Sequence, residues 1–538
     1  MQRGATEAAE LIFVFLLIAV VGFAALARKI RLPYPIVLVL AGLAVGFVPG
    51  TPRIALDPDV IFYVVLPPLV YAAAWQTSWR EFSYNLVSVI SLAIGLVGLT
   101  VAGVALGAPF ILPGFDWRTG FVLGAVVSTT DAIAATTIVR RMGLPRRVAD
   151  VLEGESLVND ATGLLALELG VSLILFGSRP DPTHVLLRFG QLLAGGLAVG
   201  MLVAWVVQWV EQRIDDAPIE VAISLLVPYI AYLLAEGVRA SGVLAVVAAG
   251  LFLSRKSSQF FSPAVRIQAY SVWNAHTFVL NGLVFLVIGL QLRSVLAGVR
   301  GAGAVLAAGV AFSALVIALR LALVFPGARL SYFIRSRILH QRESVPPARQ
   351  LVVVGWAGLR GVIALAAAMS LPRTLPDGRP FPQRDLIVFL TYCVILATLV
   401  FQGLTLAPLI RALGLAGPSG PAFEEQEARL IALQAALSHL EKTRPPDRPD
   451  LAPIYDDLAL HYRRRLAGLT GKPTGDEGQS VDPEHHERFR ALSRELARTE
   501  RNAALALRDQ GRIDDDVLRQ IEHELDLTEA RLQDERKE

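Results

Sequence analysis

Long apolar blocks make up most of the chain, separated by short loops that hold many of its arginines. Crossing the ~30 Å hydrocarbon core of a bilayer takes about 20 helical residues. About thirteen blocks approach this length, at roughly 8–27, 34–48, 57–76, 84–107, 118–140, 147–176, 185–210, 218–235, 241–254, 269–291, 299–326, 350–371 and 385–413. With 54% hydrophobic residues overall, this pattern predicts an all-α polytopic membrane protein with about 13 transmembrane helices.

Charge separates the chain into two parts. Residues 1–415 hold 31 Lys and Arg against 21 Asp and Glu, whereas residues 416–538 hold 19 against 26. Apolar positions at spacings of three and four predict helices over 421–443 and 513–535. We therefore expect a transmembrane domain over 1–415 and a water-soluble helical tail over 416–538, a candidate regulatory domain whose ligand or partner the sequence does not identify.

The distribution of basic residues among the loops predicts the orientation. If all thirteen blocks span the membrane, the loops on one side hold seventeen Lys and Arg residues and those on the other side hold eleven. Because cytoplasmic loops carry the excess of positive charge, we expect the N-terminus outside the cell membrane and the tail in the cytoplasm.

The single cysteine, Cys393, excludes disulfides and thiolate clusters, and no cofactor or nucleic-acid partner is expected.

Ionisable residues inside the apolar blocks concentrate in three segments. They are Asp131 in STTDAIAATT, Glu153, Glu155 and Asp160 in LEGESLVNDATGLL, and Arg360 in GWAGLRGVIAL. A charged side chain at membrane depth is costly and usually serves a function. These three segments are therefore the candidate site.

Three further ionisable residues, Glu168, Glu236 and Arg320, lie nearer the ends of their blocks. We interpret Arg320, in SALVIALRLALVFPG, as a structural or snorkelling arginine that reaches towards the interface.

Helical geometry divides the polar residues of the second segment between two faces. On a helix that turns ~100° per residue, Ser156 and Asp160 share one face, and Glu155 and Asn159 share another about a quarter-turn away. Since a guanidinium keeps its proton in proteins, Arg360 needs a partner inside the membrane. We expect Glu155 to be that partner, in a structural ion pair.

Asp160 and Asp131 are then left without a cationic side chain as a partner. A buried carboxylate of this kind can take up a proton near neutral pH, and it can bind a small cation when it is ionised. Thr130, Ser156 and Asn159 add the hydroxyl and amide oxygens that hard monovalent cations accept as ligands. Competition between proton and cation at one carboxylate is the simplest basis for exchange, although Asp131 alone could instead cap or bridge helices.

Two segments are predicted to be interrupted helices. The Ser/Thr-rich STTDAIAATT lies in the fifth block and the Gly-rich GWAGLRG lies in the twelfth. Unwound carbonyls and half-helix ends are common ion-binding elements of secondary transporters, and these two blocks correspond if blocks one to six and eight to thirteen are inverted repeats.

Several segments are highly specific in combination. They are STTDAIAATTIVRRMGLPRRV, LEGESLVNDATGLL, GWAGLRGVIALAAAMSLP and FLTYCVILATLVFQGLTLAPLIRALGL. Together they resemble the sodium/proton exchangers of the monovalent cation:proton antiporter-1 family, over residues 8–415. The ending GRIDDDVLRQIEHELDLTEARL is similar to the tail of the bacterial branch of that family.

The resemblance implies an antiporter that exchanges Na⁺, or else K⁺ or Li⁺, for H⁺ by alternating access. It implies two crossed broken helices, a mobile core, a scaffold and a homodimer in the lipid bilayer of the cell (inner) membrane. The implied cation- and proton-binding residues are Asp160, Asn159, Asp131, Thr130 and Ser156, with Asp160 and Asp131 as the carboxylates for the monovalent cation and Glu155 with Arg360 as the structural ion pair. Asn159, where electrogenic relatives tend to have Asp, resembles the electroneutral members.

The sequence departs from the family pattern at several positions. Ala132 stands where a proline is usual, Ala72 and Ala73 stand where many relatives carry an acid, and Asn274 stands where Glu is frequent. These differences leave the preferred cation open.

Two other functions are compatible with buried acids: a cation channel, and an intramembrane aspartyl protease with Asp131 and Asp160 as its dyad. The protease reading lacks the Gly-x-Gly-Asp setting of such enzymes and gives Arg360 no role.

Overall fold

The fold is a bundle of long helices, known from a computed structural model. The structure describes residues 2–49, 57–77, 79–112, 114–176, 182–214, 216–260, 263–297, 302–338, 340 and 346–416, together with 430, 434, 437–438, 440–442 and 452–470 of the tail. Over these residues the regular structure is helical, apart from one isolated β-bridge between Thr374 and Pro380. The predicted all-α class is confirmed.

Sixteen helices make up the first part of the chain as described. They are α1 (Gln2–Lys29), α2 (Tyr34–Gly46), α3 (Pro58–Gln76), α4 (Trp79–Ile90, continued by Val97–Ile111), α5 (Trp117–Ser128), α6 (Ala132–Arg141), α7 (Arg146–Phe176), α8 (Pro182–Glu211), α9 (Ala217–Gly237), α10 (Gly242–Phe260), α11 (Pro263–Leu290), α12 (Leu292–Ala297), α13 (Ala302–Phe333), α14 (Ala348–Trp356), α15 (Val362–Met369) and α16 (Arg384–Leu396, continued by Gly403–Ala412). Short π-helical turns join the two halves of α4 and of α16 and extend α13 to Ile338.

The helices agree with the apolar blocks of the sequence. Among the described residues, nine helices are long and apolar enough to span a membrane, and α5 with α6 makes a tenth if the bent pair is one span. The chain is thus a multi-pass membrane protein. Each remaining block coincides with a shorter apolar helix or with the pair α14 and α15, and thirteen crossings stay a prediction.

Both predicted interruptions are present. α5 and α6 are bent by 42° at residues 129–131, and α14 and α15 are separated by residues 357–361. The first break occurs without a proline: Asp131 is followed by Ala132, the first residue of α6. Asp131 instead has an extended backbone (φ −96°, ψ 114°), and its side chain accepts a hydrogen bond from the N–H of Ile133 as a helix N-cap.

A capping box fixes the other end of α5. The Asp116 carboxylate accepts hydrogen bonds from the N–H and the hydroxyl of Thr119, and the Asp116 N–H donates to the same hydroxyl. Partial burial disfavours the ionised carboxyl, but the hydrogen bonds from Thr119 outweigh this and lower the pKa of Asp116. α5 therefore begins at a fixed point in the chain.

Two hydrophobic clusters meet along α7. One cluster includes residues of α5, α13, α15 and α16, and α7 contributes Leu152 and Leu167 to it. The other cluster is formed mainly by α3, α8, α9, α10 and α11, and α7 contributes Leu157 and Ala161. The polar stretch of α7 therefore lies where the two clusters adjoin.

The chain divides into two compact units, 1–419 and 420–538. In the second unit the described residues between 430 and 442 are helical, and a further helix, α17, covers Ala452–Thr470. The predicted helix over 513–535 lies outside the described residues.

Candidate cation site

The two helix breaks touch each other. The N–H of Asp131, in the break between α5 and α6, donates a hydrogen bond to the carbonyl of Leu359, in the break between α14 and α15, over 2.8 Å. An unwound backbone leaves donors and acceptors that must be satisfied in a nonpolar interior. This hydrogen bond thus satisfies one unwound backbone group in each of the two broken helices.

Arg360 lies at the C-terminal ends of two half-helices. Its Nε donates to the carbonyl of Val127 at 2.6 Å, and its Nη1 donates to the carbonyl of Gly358 at 3.0 Å. Val127 lies in the last turn of α5 and Gly358 lies two residues beyond α14, close to C-terminal ends where the helix dipoles place partial negative charge. The buried guanidinium is therefore compensated by backbone carbonyls, and its own N–H is held by the hydroxyl of Thr398 at 3.0 Å.

Asp131 lies at the N-terminal ends of the other two half-helices, α6 and α15. Its carboxylate caps α6, and it also contacts Gly361, the residue that precedes α15. A Cβ at Gly361 would come within 2.6 Å of Asp131 Oδ2. Helix N-termini carry partial positive charge, so one carboxylate lies close to two such ends. The crossing thus has a cation at two C-termini and an anion at two N-termini.

α7 holds the first break in place. The Ser156 hydroxyl donates to the carbonyl of Thr130 at 2.8 Å and accepts from the N–H of Ala132 at 3.4 Å. The Asn159 amide donates to the Thr130 hydroxyl at 2.5 Å. Ser156 and Asn159 of α7 therefore contact the first break at Thr130 and Ala132.

Two buried oxygen atoms beside this crossing have no hydrogen-bond partner among the described residues. They are Oδ1 of Asp160 and Oδ1 of Asn159, on side chains that are 5% and 0% exposed. An unsatisfied buried acceptor costs about 1–3 kcal/mol, so a bound proton or cation would relieve a real deficit here.

The predicted ion pair between Glu155 and Arg360 is wrong. Glu155 is paired with Arg320 of α13, whose Nη1 and Nη2 lie 2.6 and 2.9 Å from the two carboxylate oxygens. Both side chains are buried, and Glu155 Oε1 also accepts from the Thr130 hydroxyl at 3.5 Å. This bidentate geometry neutralises Glu155 within the protein.

Of the two interpretations of Arg320, the structural one agrees with its ion pair to Glu155, and the snorkelling one is wrong. We took Pro326 as the end of its apolar block, but α13 continues through this proline to Phe333. Arg320 consequently lies near the middle of the helix and not near an interface. Its guanidinium passes over Gly358, where an added Cβ would lie 2.0 Å from Nε.

Three further acids of the apolar blocks, Glu153, Glu168 and Glu236, have partners of their own. Glu153 forms an ion pair with Arg140 at 2.7 Å, and Glu168 forms one with Arg188 at 3.2 Å. The Glu236 carboxylate accepts from the N–H of Gly242 at 3.1 Å. None of these three contacts involves Asp160.

Comparison with known proteins assigns the class. The sodium/hydrogen exchanger transmembrane family matches residues 14–412. An uncharacterised Na⁺/H⁺ exchanger of Mycobacterium tuberculosis is 33% identical over 530 residues, 97% of this chain and 96% of the relative. A sodium, potassium, lithium and rubidium/H⁺ antiporter of Bacillus pumilus is 30% identical over 452 residues, 82% of this chain and 67% of the relative.

A solved structure has the same fold. The sodium proton antiporter MjNhaP1 of Methanocaldococcus jannaschii, at pH 8, matches with a TM-score of 0.59 and 19% sequence identity, over 77% of this chain and all of that one. The protein is a multi-pass membrane transporter of the cation/proton antiporter class, not an enzyme. It belongs to the sodium/hydrogen exchanger family.

Proposed function

We propose that this protein exchanges a monovalent cation for a proton by alternating access, with Asp160 as the carboxylate that carries each in turn. The observation that carries the proposal is the pair of buried acceptors without partners, Asp160 Oδ1 and Asn159 Oδ1, beside the crossing of the broken helices. An ionised Asp160 would bind the cation, and a protonated Asp160 would carry no charge of its own. A single carboxylate used by both ions couples their movements.

The oxygen atoms around Asp160 form the proposed cation site. Asp131 supplies a second carboxylate, and Thr130, Ser156 and Asn159 supply neutral oxygens from the same crossing. Hard cations prefer oxygen ligands of this kind. Glu155 is excluded from this set because Arg320 occupies both of its carboxylate oxygens.

The position of α7 supports alternating access. α7 packs against both hydrophobic clusters, with Leu157 and Ala161 in one and Leu152 and Leu167 in the other. In secondary transporters, one bundle moves against another around a fixed site near the bilayer midplane. Relative movement of the two clusters at this boundary would expose Asp160 to one side of the membrane and then to the other.

We propose that the exchange is electroneutral, and the charges at the site support this. Near the crossing, the charge of Glu155 is neutralised by Arg320, and Asn159 carries no charge. If Asp131 stays ionised as a helix cap, one proton leaves Asp160 for each cation that binds. We propose Na⁺ as the main substrate, with K⁺ and Li⁺ as further candidates, because one relative is named for sodium and another for sodium, potassium, lithium and rubidium.

Purified protein in liposomes provides the test. A fluorescent pH dye inside the vesicles should report proton movement when Na⁺, K⁺ or Li⁺ is added outside, and Asp160→Asn should abolish it. The matched control is Asp116→Asn, which changes a carboxylate outside the crossing where Asn also caps a helix. Full exchange by the Asp160→Asn variant would refute the proposal, and a rate that changes with an imposed potential would refute electroneutrality.

The two alternative functions are less well supported. A protease dyad requires two carboxyl groups free to share a proton, whereas Asp131 is engaged as the N-cap of α6. A cation channel would conduct without coupling to protons. Saturable, proton-coupled flux without single-channel currents separates an antiporter from a channel.

Three further features belong to the same proposal. We propose that the N-terminus lies outside the cell (inner) membrane and the tail lies in the cytoplasm, where it is regulatory. We also propose a homodimer, since α1 exposes large apolar side chains, among them Leu11, Phe15 and Ile18, to lipid or to a second copy. Cross-linking in native membranes tests the homodimer. Accessibility of cysteines placed in loops, in a Cys393→Ser background, tests the placement of the N-terminus and of the tail.

A further inference from the structure

The residues around the helix crossing are exposed unevenly. Residues 131–133, at the start of α6, are partly exposed, whereas α5 is buried over residues 122–130 and α7 is buried over residues 159–163. A carboxylate that faces hydrocarbon is costly, so the partial exposure of Asp131 indicates an approach filled with water. This approach lies on the side towards which α6 runs.

Close packing closes the opposite side of the crossing. α7 lies so close to the end of α5 that a Cβ added at Gly163 would come within 2.5 Å of Thr129 Cγ2. Beyond the site, three apolar side chains of α3, α7 and α15 each pack against both hydrophobic clusters: Phe62, Leu164 and Ile363. In this structure the approach to the site therefore follows α6 towards the loop at residues 142–145, which we predict to be cytoplasmic.

Side chains at helical spacing line this approach. On α6, Thr137 and Arg140 follow Ile133 by four and seven residues, and both are exposed. On α7, Glu153 precedes Asp160 by seven residues, which is about two turns and places them on one face. We call these residues the α6–α7 strip, which consists of Ile133, Thr137 and Arg140 on α6 and Glu153, Ser156 and Asp160 on α7.

An ion pair marks the outer end of the α6–α7 strip. Arg140 Nη2 lies 2.7 and 2.9 Å from the two carboxylate oxygens of Glu153, and the two side chains are 62% and 22% exposed. Exposed pairs of this kind contribute little to stability. Seven helical residues separate Glu153 from Asp160, a distance of ~10 Å along α7, and the Debye length at physiological ionic strength is ~8 Å. The charges of the pair are therefore close enough to act on an ion that approaches Asp160.

We propose that the cation reaches Asp160 along the α6–α7 strip, and that Glu153 and Arg140 set the local cation concentration at its mouth, a step that rests on the proposed function. Glu153 attracts a cation and Arg140 repels it, so each offsets the other in the wild type. A unit charge at ~10 Å, with an effective dielectric constant of about 40–80, changes the local concentration of a monovalent cation about two- to fourfold.

The signs of two substitutions test this proposal. Everted membrane vesicles, from a host without its own Na⁺/H⁺ antiporters, present the proposed cytoplasmic face to added Na⁺, and a pH dye reports exchange. Glu153→Gln should raise KM for Na⁺ about two- to fourfold, and Arg140→Gln should lower KM by the same factor. A purely structural pair predicts changes of one sign, because either substitution breaks the same contact. The double variant should have a KM close to that of the wild type.

The conditions of the assay follow from the same electrostatics. A charge at the mouth concentrates protons and cations by the same factor, so KM is measured at a pH high enough for Asp160 to be ionised in the absence of cation. Choline chloride at about 1 M on both sides of the membrane shortens the Debye length to ~3 Å and should remove both KM changes. KM does not depend on the amount of folded protein, so a variant with a lower yield still gives a result.

Glu168→Gln is the matched control. Glu168 follows Asp160 by eight residues, ~12 Å towards the other end of α7, and it pairs with Arg188 as Glu153 pairs with Arg140. Its removal should leave KM at the proposed cytoplasmic face unchanged.

Several results would overturn the role of the mouth charges. They are an unchanged KM in both single variants, shifts of the same sign in Arg140→Gln and Glu153→Gln, shifts that persist in high salt, and an equal shift in Glu168→Gln. All of these variants should still exchange ions, whereas Asp160→Asn should not. Failure of this inference is therefore distinct from failure of the proposed function.

Discussion

Arg320 and Glu155 form a buried bidentate ion pair across 165 positions of sequence, with oxygen to nitrogen distances of 2.6 and 2.9 Å. This pair joins α13 to α7 beside the crossing of the broken helices. It also neutralises one of the acids nearest the proposed cation site, so that Asp160 and Asp131 are the carboxylates left to bind ions there.

Removal of one partner of this pair should destabilise the protein strongly. Arg320→Met leaves the Glu155 charge buried without compensation, which typically costs 3–5 kcal/mol, so the expected loss in free energy of unfolding is about 3–5 kcal/mol. Denaturant titration of the detergent-solubilised protein measures it. Glu155→Gln combined with Arg320→Met should recover most of the loss, since no lone charge remains. Failure of the double variant to recover, with recovery when Glu155→Gln is combined with Arg360→Met, would restore the pairing that the sequence predicted.

Arg360→Met should loosen the crossing itself. The substitution removes two donors from the carbonyls of Val127 and Gly358, and hydrogen bonds to charged groups contribute about 1.5–3 kcal/mol each. We expect a loss of about 3 kcal/mol in stability together with a higher KM for the cation. Arg360→Lys keeps the charge at the helix ends and should recover part of both quantities. Stability unchanged in Arg360→Met would show that these carbonyls do not depend on the guanidinium.

Gly361→Ala should weaken cation binding with little effect on the rest of the fold. The added Cβ would lie 2.6 Å from Asp131 Oδ2, so the carboxylate must move. We expect KM for the cation to rise by about tenfold, the effect of ~1.4 kcal/mol. Gly98→Ala is the matched control, because a Cβ there meets nothing within 4 Å and alanine favours a helix. An equal rise of KM in both variants would argue against a specific role for the contact.

Competition at Asp160 predicts a particular dependence on pH. When protons and cations bind the same carboxylate, a fall in pH raises the apparent KM for the cation and leaves the maximum rate at saturating cation unchanged. Well below the pH at which Asp160 becomes protonated in the absence of cation, KM should rise about tenfold per pH unit, as mass action at a single site requires. Initial rates in liposomes over a matrix of cation concentration and equal internal and external pH measure this. A maximum rate that falls with pH at constant KM would indicate separate sites.

The sequence predicted much of the candidate site because most of it lies in two short segments. Ser156, Asn159 and Asp160 are fixed relative to one another by the geometry of a single helix, and their contacts with Thr130 and Ala132 involve a neighbouring helix 24 to 29 positions away. The two breaks were predicted from clustered Thr and Gly residues. The first break was predicted although Ala132 stands where a proline is usual, but the hydrogen bond from Asp131 to Leu359 that supports it joins two distant blocks and was not predictable.

The partner of Glu155 could not be predicted from periodicity. Two arginines in different blocks were available as partners. The spacing of residues along one helix does not indicate how far they lie from a residue of another helix. The predicted block ended at residue 326, which placed Arg320 near an interface, whereas α13 continues to Phe333. The glycine at 358, which leaves room for the Arg320 side chain, was a signal in hindsight, because any larger residue there would exclude the guanidinium.

The mutual support of the two breaks has a consequence for the biogenesis of the protein. Arg360 lies 233 positions after Val127, whose carbonyl it caps, so α5 and α6 leave the ribosome long before their partner exists. At typical elongation rates this interval lasts about 10–50 s. During that time the polar backbone at residues 129–131 depends on α7, through Ser156 and Asn159, or on the insertion machinery. The core is therefore completed only late in synthesis, and a nascent chain stalled before residue 359 should be a preferred target of membrane quality control.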